Sequence, residues 1–99
     1  MKYYDTFCPI GPVIATGLDG DTLRVQCRVN GAAEIDSSSS DMIFDVAHLV
    51  AWVSEVMALN PGDIISSGCP DVGEISVGDT VEVEVEGVGV LRNPVVADF

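Results

Sequence analysis

The chain has 99 residues, is 47% apolar, and carries 16 acidic against 4 basic residues, for a formal net charge of −12. That balance excludes a nucleic-acid role, which needs clustered Lys and Arg, and disfavours an anionic membrane surface. The apolar fraction argues against a disordered chain, no apolar run approaches the ~20 residues of a membrane span, and the N-terminus lacks a signal-peptide pattern.

The length suits one domain, residues 1–99, with a modest core. Valine dominates the apolar residues, and β-branched side chains fit a pleated sheet. The basic residues are Lys2, Arg24, Arg28 and Arg92. An acidic surface nearly free of lysine would suit a high-salt cytoplasm, where salt screens self-repulsion. Cys8, Cys27 and Cys69 form no Cys-x-x-Cys pair. Three cysteines fit neither a disulfide framework nor a zinc knuckle, so a reducing cytoplasm is the expected compartment.

In chain order, residues 1–12 read as an extended lead-in that ends in a turn at Pro9, Gly11 and Pro12. Val13–Thr16 suits a short strand. Leu23–Val29 alternates, with Leu23, Val25, Cys27 and Val29 on one face and Arg24, Gln26 and Arg28 on the other. Asn30-Gly31 is a strong hairpin signal, with Ala32–Asp36 as the return strand. Ser37–Ser40 reads as a flexible loop.

Asp45 is a candidate helix cap. Val46, Leu49, Val50, Val53, Val56 and Met57 follow at helical spacing, up to Asn60-Pro61-Gly62. Ile64 and Ile65 suit the start of another strand. Thr80–Glu86 alternates strictly, and Val88–Arg92 can return as its hairpin partner after Gly87. The expected architecture is mainly β with one α-helix.

Six short motifs then stand in a fixed order. Asp5-Thr6-Phe7-x-Pro9-x-Gly11-Pro12 is followed by Arg28-Val29-Asn30-Gly31 and by Ser40-Asp41-Met42-Ile43-Phe44. Leu59-x-Pro61-Gly62-Asp63-Ile64-Ile65-x-x-Gly68-x-Pro70 comes next. Gly78-Asp79-Thr80-Val81-Glu82-Val83-Glu84 and Leu91-Arg92-Asn93-Pro94-Val95 close the set. Together they resemble the C-terminal part of the fumarylacetoacetate hydrolase family.

The resemblance implies part of a mixed β-roll of stacked sheets. It also implies hydrolysis, isomerisation or decarboxylation of diketo acids, such as acylpyruvates or 2-hydroxyhepta-2,4-diene-1,7-dioate. The family's metal is usually Mg²⁺ or Mn²⁺, on carboxylates expected upstream of the Lys2 segment, so none is expected to be held by this chain alone. Homodimers are common in the family, and either a homo-oligomer or a complementing chain is the expected partner.

The resemblance assigns Lys2 as the catalytic charge beside the keto acid, where an ammonium can neutralise an enolate or carboxylate. It assigns Lys2, Gly68, Cys69 and Pro70 to substrate binding. Cys69 stands where the family has threonine, and a thiol is the poorer donor. No base near Cys69 is evident in sequence, which speaks against a nucleophile. Glu82, Glu84 and Glu86 have metal-like spacing, but strict alternation places them on a solvated strand face. His48 reads as a surface residue, and Trp52, off the apolar stripe, hints at an interface. Arg24 and Arg28 are expected to pair with surplus acids, at little energetic gain on a surface.

Two functions follow. One is an enzyme component, inactive without the upstream metal-binding segment. The other is a non-catalytic acidic β-rich interaction or dimerisation domain.

Overall fold

The computed structural model describes residues 4–97, and Lys2 lies outside them. Strands β1 (Arg24–Val29), β2 (Ala32–Ser38), β3 (Thr80–Val85) and β4 (Gly89–Pro94) form one antiparallel sheet in the order β2-β1-β3-β4. Among the described residues one α-helix, α1 (Val46–Val56), lies between β2 and β3 in sequence. The fold is mainly β with one helix, as the alternation and the helical spacing require.

Hairpin β1–β2 turns at Asn30-Gly31, both left-handed, with φ of 51° and 82°. Those conformations are what an Asn-Gly turn supplies. Hairpin β3–β4 turns at residues 86–88. Gly87 stands at φ 77°, which disfavours any side chain, and a Cβ there would also crowd Leu18 Cδ2 at 3.1 Å.

Pairing sorts the side chains onto two faces. Val25, Cys27 and Val29 oppose Val85, Val83 and Val81, giving an apolar face. Gln26 and Arg28 oppose Glu84 and Glu82, giving a charged one. On the charged face Arg28 bonds both Glu82 and Glu84, Arg92 bonds Glu82, and Arg24 grips Asp36 with Nε at 2.9 Å and Nη2 at 2.7 Å. The Glu82 side chain is only 15% exposed. The face expected to be plainly solvated is thus partly covered by its own ion pairs.

Asp45 caps α1, its Oδ1 accepting from the His48 N–H at 2.7 Å. The helix ends at Val56, short of Pro61. A helical Asn60 would clash with the proline ring, and that ring would clash with the carbonyl of Met57. Met57 is accordingly extended.

Four expectations need correction. Tyr4–Phe7 is a turn closed by Phe7 N–H to Tyr4 O at 3.1 Å, not an extended lead-in. Val13–Thr16 and Ile64–Ile65 form no strand, because no neighbouring strand offers them a ladder within the described residues. Ser37–Ser40 is not a loose loop: Ser37 and Ser38 end β2, and Ser39–Asp41 form a 3₁₀ turn with a capping box. Finally, none of the described residues is buried, so the expected modest core is missing. The strands pack chiefly on one another.

Candidate functional site

One cleft of about 580 Å³ gathers residues from four separate stretches. Its floor is a row across three strands: Ser37 of β2, Val25 of β1 and Val85 of β3, each directly opposite its neighbour. Its roof is the segment Met42–Phe44 with Leu49 of α1. Its wall is Ser67–Pro70. The sheet positions the floor because alternation turns Val25 and Val85 to the same side.

The serine turn fixes the rim. Ser39 Oγ accepts from the Leu23 N–H at 2.8 Å and ties the turn to the approach of β1. Asp41 Oδ2 accepts from the Ser37 hydroxyl at 3.1 Å and from the Ser38 N–H at 3.2 Å. Ser38 Oγ accepts from the Ser40 N–H and hydroxyl at 3.2 and 2.8 Å. These polar groups hold one another in place at the mouth of an apolar cleft.

Gly68 stands at φ 96°, where a side chain would be strained, and the left-handed kink presents Cys69 and Pro70 to the cleft. Cys69 is exposed. Burial pushes the Cys27 thiol above its ordinary value, and Cys69 and Glu34 nearby add to that rise. A raised pKa disfavours the thiolate that nucleophilic chemistry needs. His48 stacks on Phe44 of the roof, with ring centroids 4.4 Å apart at 12°.

The structure therefore brings Gly68, Cys69 and Pro70 to one cleft, while Lys2 lies outside the described residues. It adds Ser37–Ser39, Asp41 and the floor valines, which the sequence reading did not assign to a site. Part of the signal was present, since Asp41-Met42-Ile43-Phe44 belongs to one of the ordered motifs. The floor residues gave none, because the three strands meet only in the fold.

Glu82 and Glu84 on the charged face are committed to arginines. Arg92, and then Arg28, hold Glu82 below the usual carboxylate range. Glu84 accepts from Arg28 Nη1 at 2.9 Å. Among the described residues no group of three or more His, Cys, Asp or Glu side chains is placed to hold a metal ion. As it stands, the cleft offers an apolar floor, a polar rim and a thiol.

Comparison with known proteins places this geometry. The family model described as fumarylacetoacetate (FAA) hydrolase C-terminal matches residues 1–96. The 5-carboxymethyl-2-hydroxymuconate delta-isomerase of Mycobacterium smegmatis superposes with a TM-score of 0.91 at 49% identity, over 94% of this chain and 38% of that one. Maleylpyruvate hydrolase from Sphingobium sp. SYK-6, in complex with manganese (II) ion and pyruvate, gives 0.89 at 38% identity, over 94% and 37%. The mitochondrial oxaloacetate tautomerase Fahd2a of Rattus norvegicus is 41% identical over 96% of this chain and 34% of its own length. The chain thus spans between a third and two fifths of each of these relatives.

Proposed function

Because the chain belongs to the fumarylacetoacetate hydrolase family, we propose that it forms one wall of a site for a 2-keto or diketo acid. The remaining walls would come from a segment related to the part of the relatives outside the match. One observation carries this reading: Gly68-Cys69-Pro70 and the Ser37–Val25–Val85 row converge on a single cleft. The relatives act on compounds of this class, including maleylpyruvate and oxaloacetate.

In this reading the Gly68-Cys69-Pro70 turn receives a carboxylate of the substrate, and the apolar floor and Phe44 receive its carbon skeleton. Lys2 supplies positive charge beside the keto oxygen, where it stabilises a developing enolate. The described carboxylates do not fit a divalent ion, since no three of them and the His and Cys side chains gather to hold one, and Glu82 and Glu84 hold Arg28. A Mg²⁺ or Mn²⁺ ion would be held by residues outside this chain. The competing reading is a non-catalytic interaction domain, and it draws on the exposed apolar surface.

The test is a chimera in which this chain replaces the matched part of the M. smegmatis isomerase. We expect the chimera to turn over oxaloacetate or an acylpyruvate with Mn²⁺, and the 99-residue chain alone to stay at the metal-only background. A folded chimera inert towards every keto acid offered would overturn the enzyme reading in favour of the interaction domain. Mn²⁺-dependent turnover by the chain alone would overturn the need for a second segment. Within the chimera, Cys69→Thr should raise kcat/KM about tenfold, since a hydroxyl bond to a charged group exceeds a thiol's by roughly 1.4 kcal/mol.

A further inference from the structure

We propose that Asn30-Gly31 is a deamidation site that the folded sheet keeps shut, and that its product cannot refasten β1 to the start of β3.

The first argument is chemical. Deamidation begins when the backbone nitrogen of the following residue attacks the asparagine Cγ. The chain has three asparagines, Asn30, Asn60 and Asn93. Asn60 and Asn93 precede Pro61 and Pro94, whose nitrogens carry no hydrogen to give up. Only Asn30 precedes a residue with an N–H, and glycine has no side chain to obstruct the attack. Both turn residues are exposed, and nothing lies within 4 Å of the place a Gly31 Cβ would take, so water reaches the turn. The reaction balances with water alone. The bond from Gly31 N to Asn30 Cγ forms, the Cγ–Nδ2 bond breaks, and Nδ2 leaves as ammonia with the Gly31 proton. Water then opens the cyclic imide at either carbonyl, leaving aspartate or isoaspartate at position 30.

The second argument is geometric. Ring closure needs the Asn30 amide to swing onto Gly31 N, and the fold holds it elsewhere. Nδ2 donates to Asp79 Oδ1 at 2.8 Å, and Oδ1 accepts from the Thr80 N–H at 2.9 Å. These partners fix which way the amide points, since a carboxylate only accepts and a backbone N–H only donates. The main chain is clamped as well, because the Asn30 N–H donates to Thr80 O at 2.9 Å. Asp79 is itself anchored, its Oδ2 accepting from the Ser76 N–H at 2.8 Å. Attack at Asn30 therefore waits until this end of β1 and β3 parts, which is a local opening of the sheet.

The third argument concerns the product. A carboxylate at position 30 has no N–H to donate, and it faces the carboxylate of Asp79. The Ser76 N–H first, and the Asn30 amide second, hold Asp79 below the usual carboxylate range, so Asp79 meets the new group as a charge. Like charges at that distance disfavour each other. Isoaspartate also adds a carbon to the main chain of a turn that Asn-Gly fits. The reaction thus turns a passing separation of the strands into a lasting one.

Peptide mapping by mass spectrometry after incubation at mildly alkaline pH tests this, with Asn60 and Asn93 as internal controls. We expect the chain to deamidate at Asn30 alone, and about tenfold faster in urea above its unfolding midpoint than in native buffer, because opening limits the folded rate. Asp79→Ala should speed the reaction in native buffer. Where that variant does not fold, a urea series below the midpoint reads the same dependence in the unaltered chain, as a rate that climbs with opening. Asn30→Asp carries the product's charge and should lower the unfolding midpoint and hasten hydrogen exchange at the Thr80 N–H. Adding Asp79→Asn returns a donor to the pair and should recover most of that loss. Asn30 as reactive in the native chain as in urea would overturn the proposal, and so would an unfolded chain that stays intact there. An Asn30→Asp chain with the original midpoint and the original Thr80 exchange would overturn it too.

Discussion

At the level of single residues, Glu82 shows how this chain spends its few cations. Its carboxylate accepts from Arg92 and from both Nε and Nη2 of Arg28, at 3.3 and 3.2 Å for the latter pair. The hydrogen bond from Arg92 is the larger cause of its lowered pKa, and that from Arg28 is next. A folded-state pKa below the unfolded value means the contribution is full above the ordinary glutamate range. It is lost as pH falls through the lower, folded value. Carbon-detected NMR titration should therefore find Glu82 titrating below the ordinary range, and Arg92→Gln should move it upward. Glu82→Gln should flatten the acid limb of the unfolding midpoint against pH, since the titrating group is gone.

For the elements, the helix start depends on two aspartates. Asp45 Oδ1 caps the His48 N–H, and Asp21 Oδ1 accepts from the Val46 N–H at 2.8 Å. Asp45→Ala should cost about 1 kcal/mol, seen as a weaker helical circular-dichroism signal and a lower unfolding midpoint. That cap was legible in the sequence because it is local: an acceptor side chain followed by apolar residues at helical spacing. The four strands were legible for the same reason, through alternation and the Asn30-Gly31 turn. Ile64 and Ile65 misled because a strand is a relation between two segments, and the described residues offer them no partner. Ser37–Ser40 misled because its partners, Leu23 N–H and the Asp41 carboxylate, are invisible to composition. The candidate site divided in the same way. Gly68-Cys69-Pro70 could be read from its motif, while the Ser37–Val25–Val85 floor exists only once three strands are paired.

Taken whole, the molecule is a sheet and a helix without a buried interior among the described residues. Apolar side chains that would normally leave water stay in contact with it, so the native chain should bind a hydrophobic dye such as ANS without being unfolded. Its charge acts against it as well. With a net charge of −12 the folded chain repels itself, and salt weakens that repulsion. The unfolding midpoint should accordingly rise between low salt and about 1 M KCl, where the Debye length shrinks to roughly 3 Å. An unchanged midpoint would show that Arg24, Arg28 and Arg92 already neutralise the charges that matter.

The Asn30 bonds to the start of β3 have one further consequence. Val81, Val83 and Val85 are identical, so the apolar face of β3 reads the same if β1 slides by two residues. Nothing in valine tells the chain which alignment is right, because such a slip keeps every side chain on its own face. The ambiguity is resolved on the opposite side. Arg28 fits between Glu82 and Glu84, and at the strand's end Asn30 donates to Asp79 Oδ1 at 2.8 Å and accepts from the Thr80 N–H at 2.9 Å. A two-residue slide would abandon the Asn30 bonds, whereas Arg28 could still meet two carboxylates, because Glu82, Glu84 and Glu86 also recur every two residues. The end of the sheet thus carries its addressing: the valines and the glutamates supply adhesion that an even shift would satisfy, and one asparagine supplies the single alignment in which the floor of the cleft comes together.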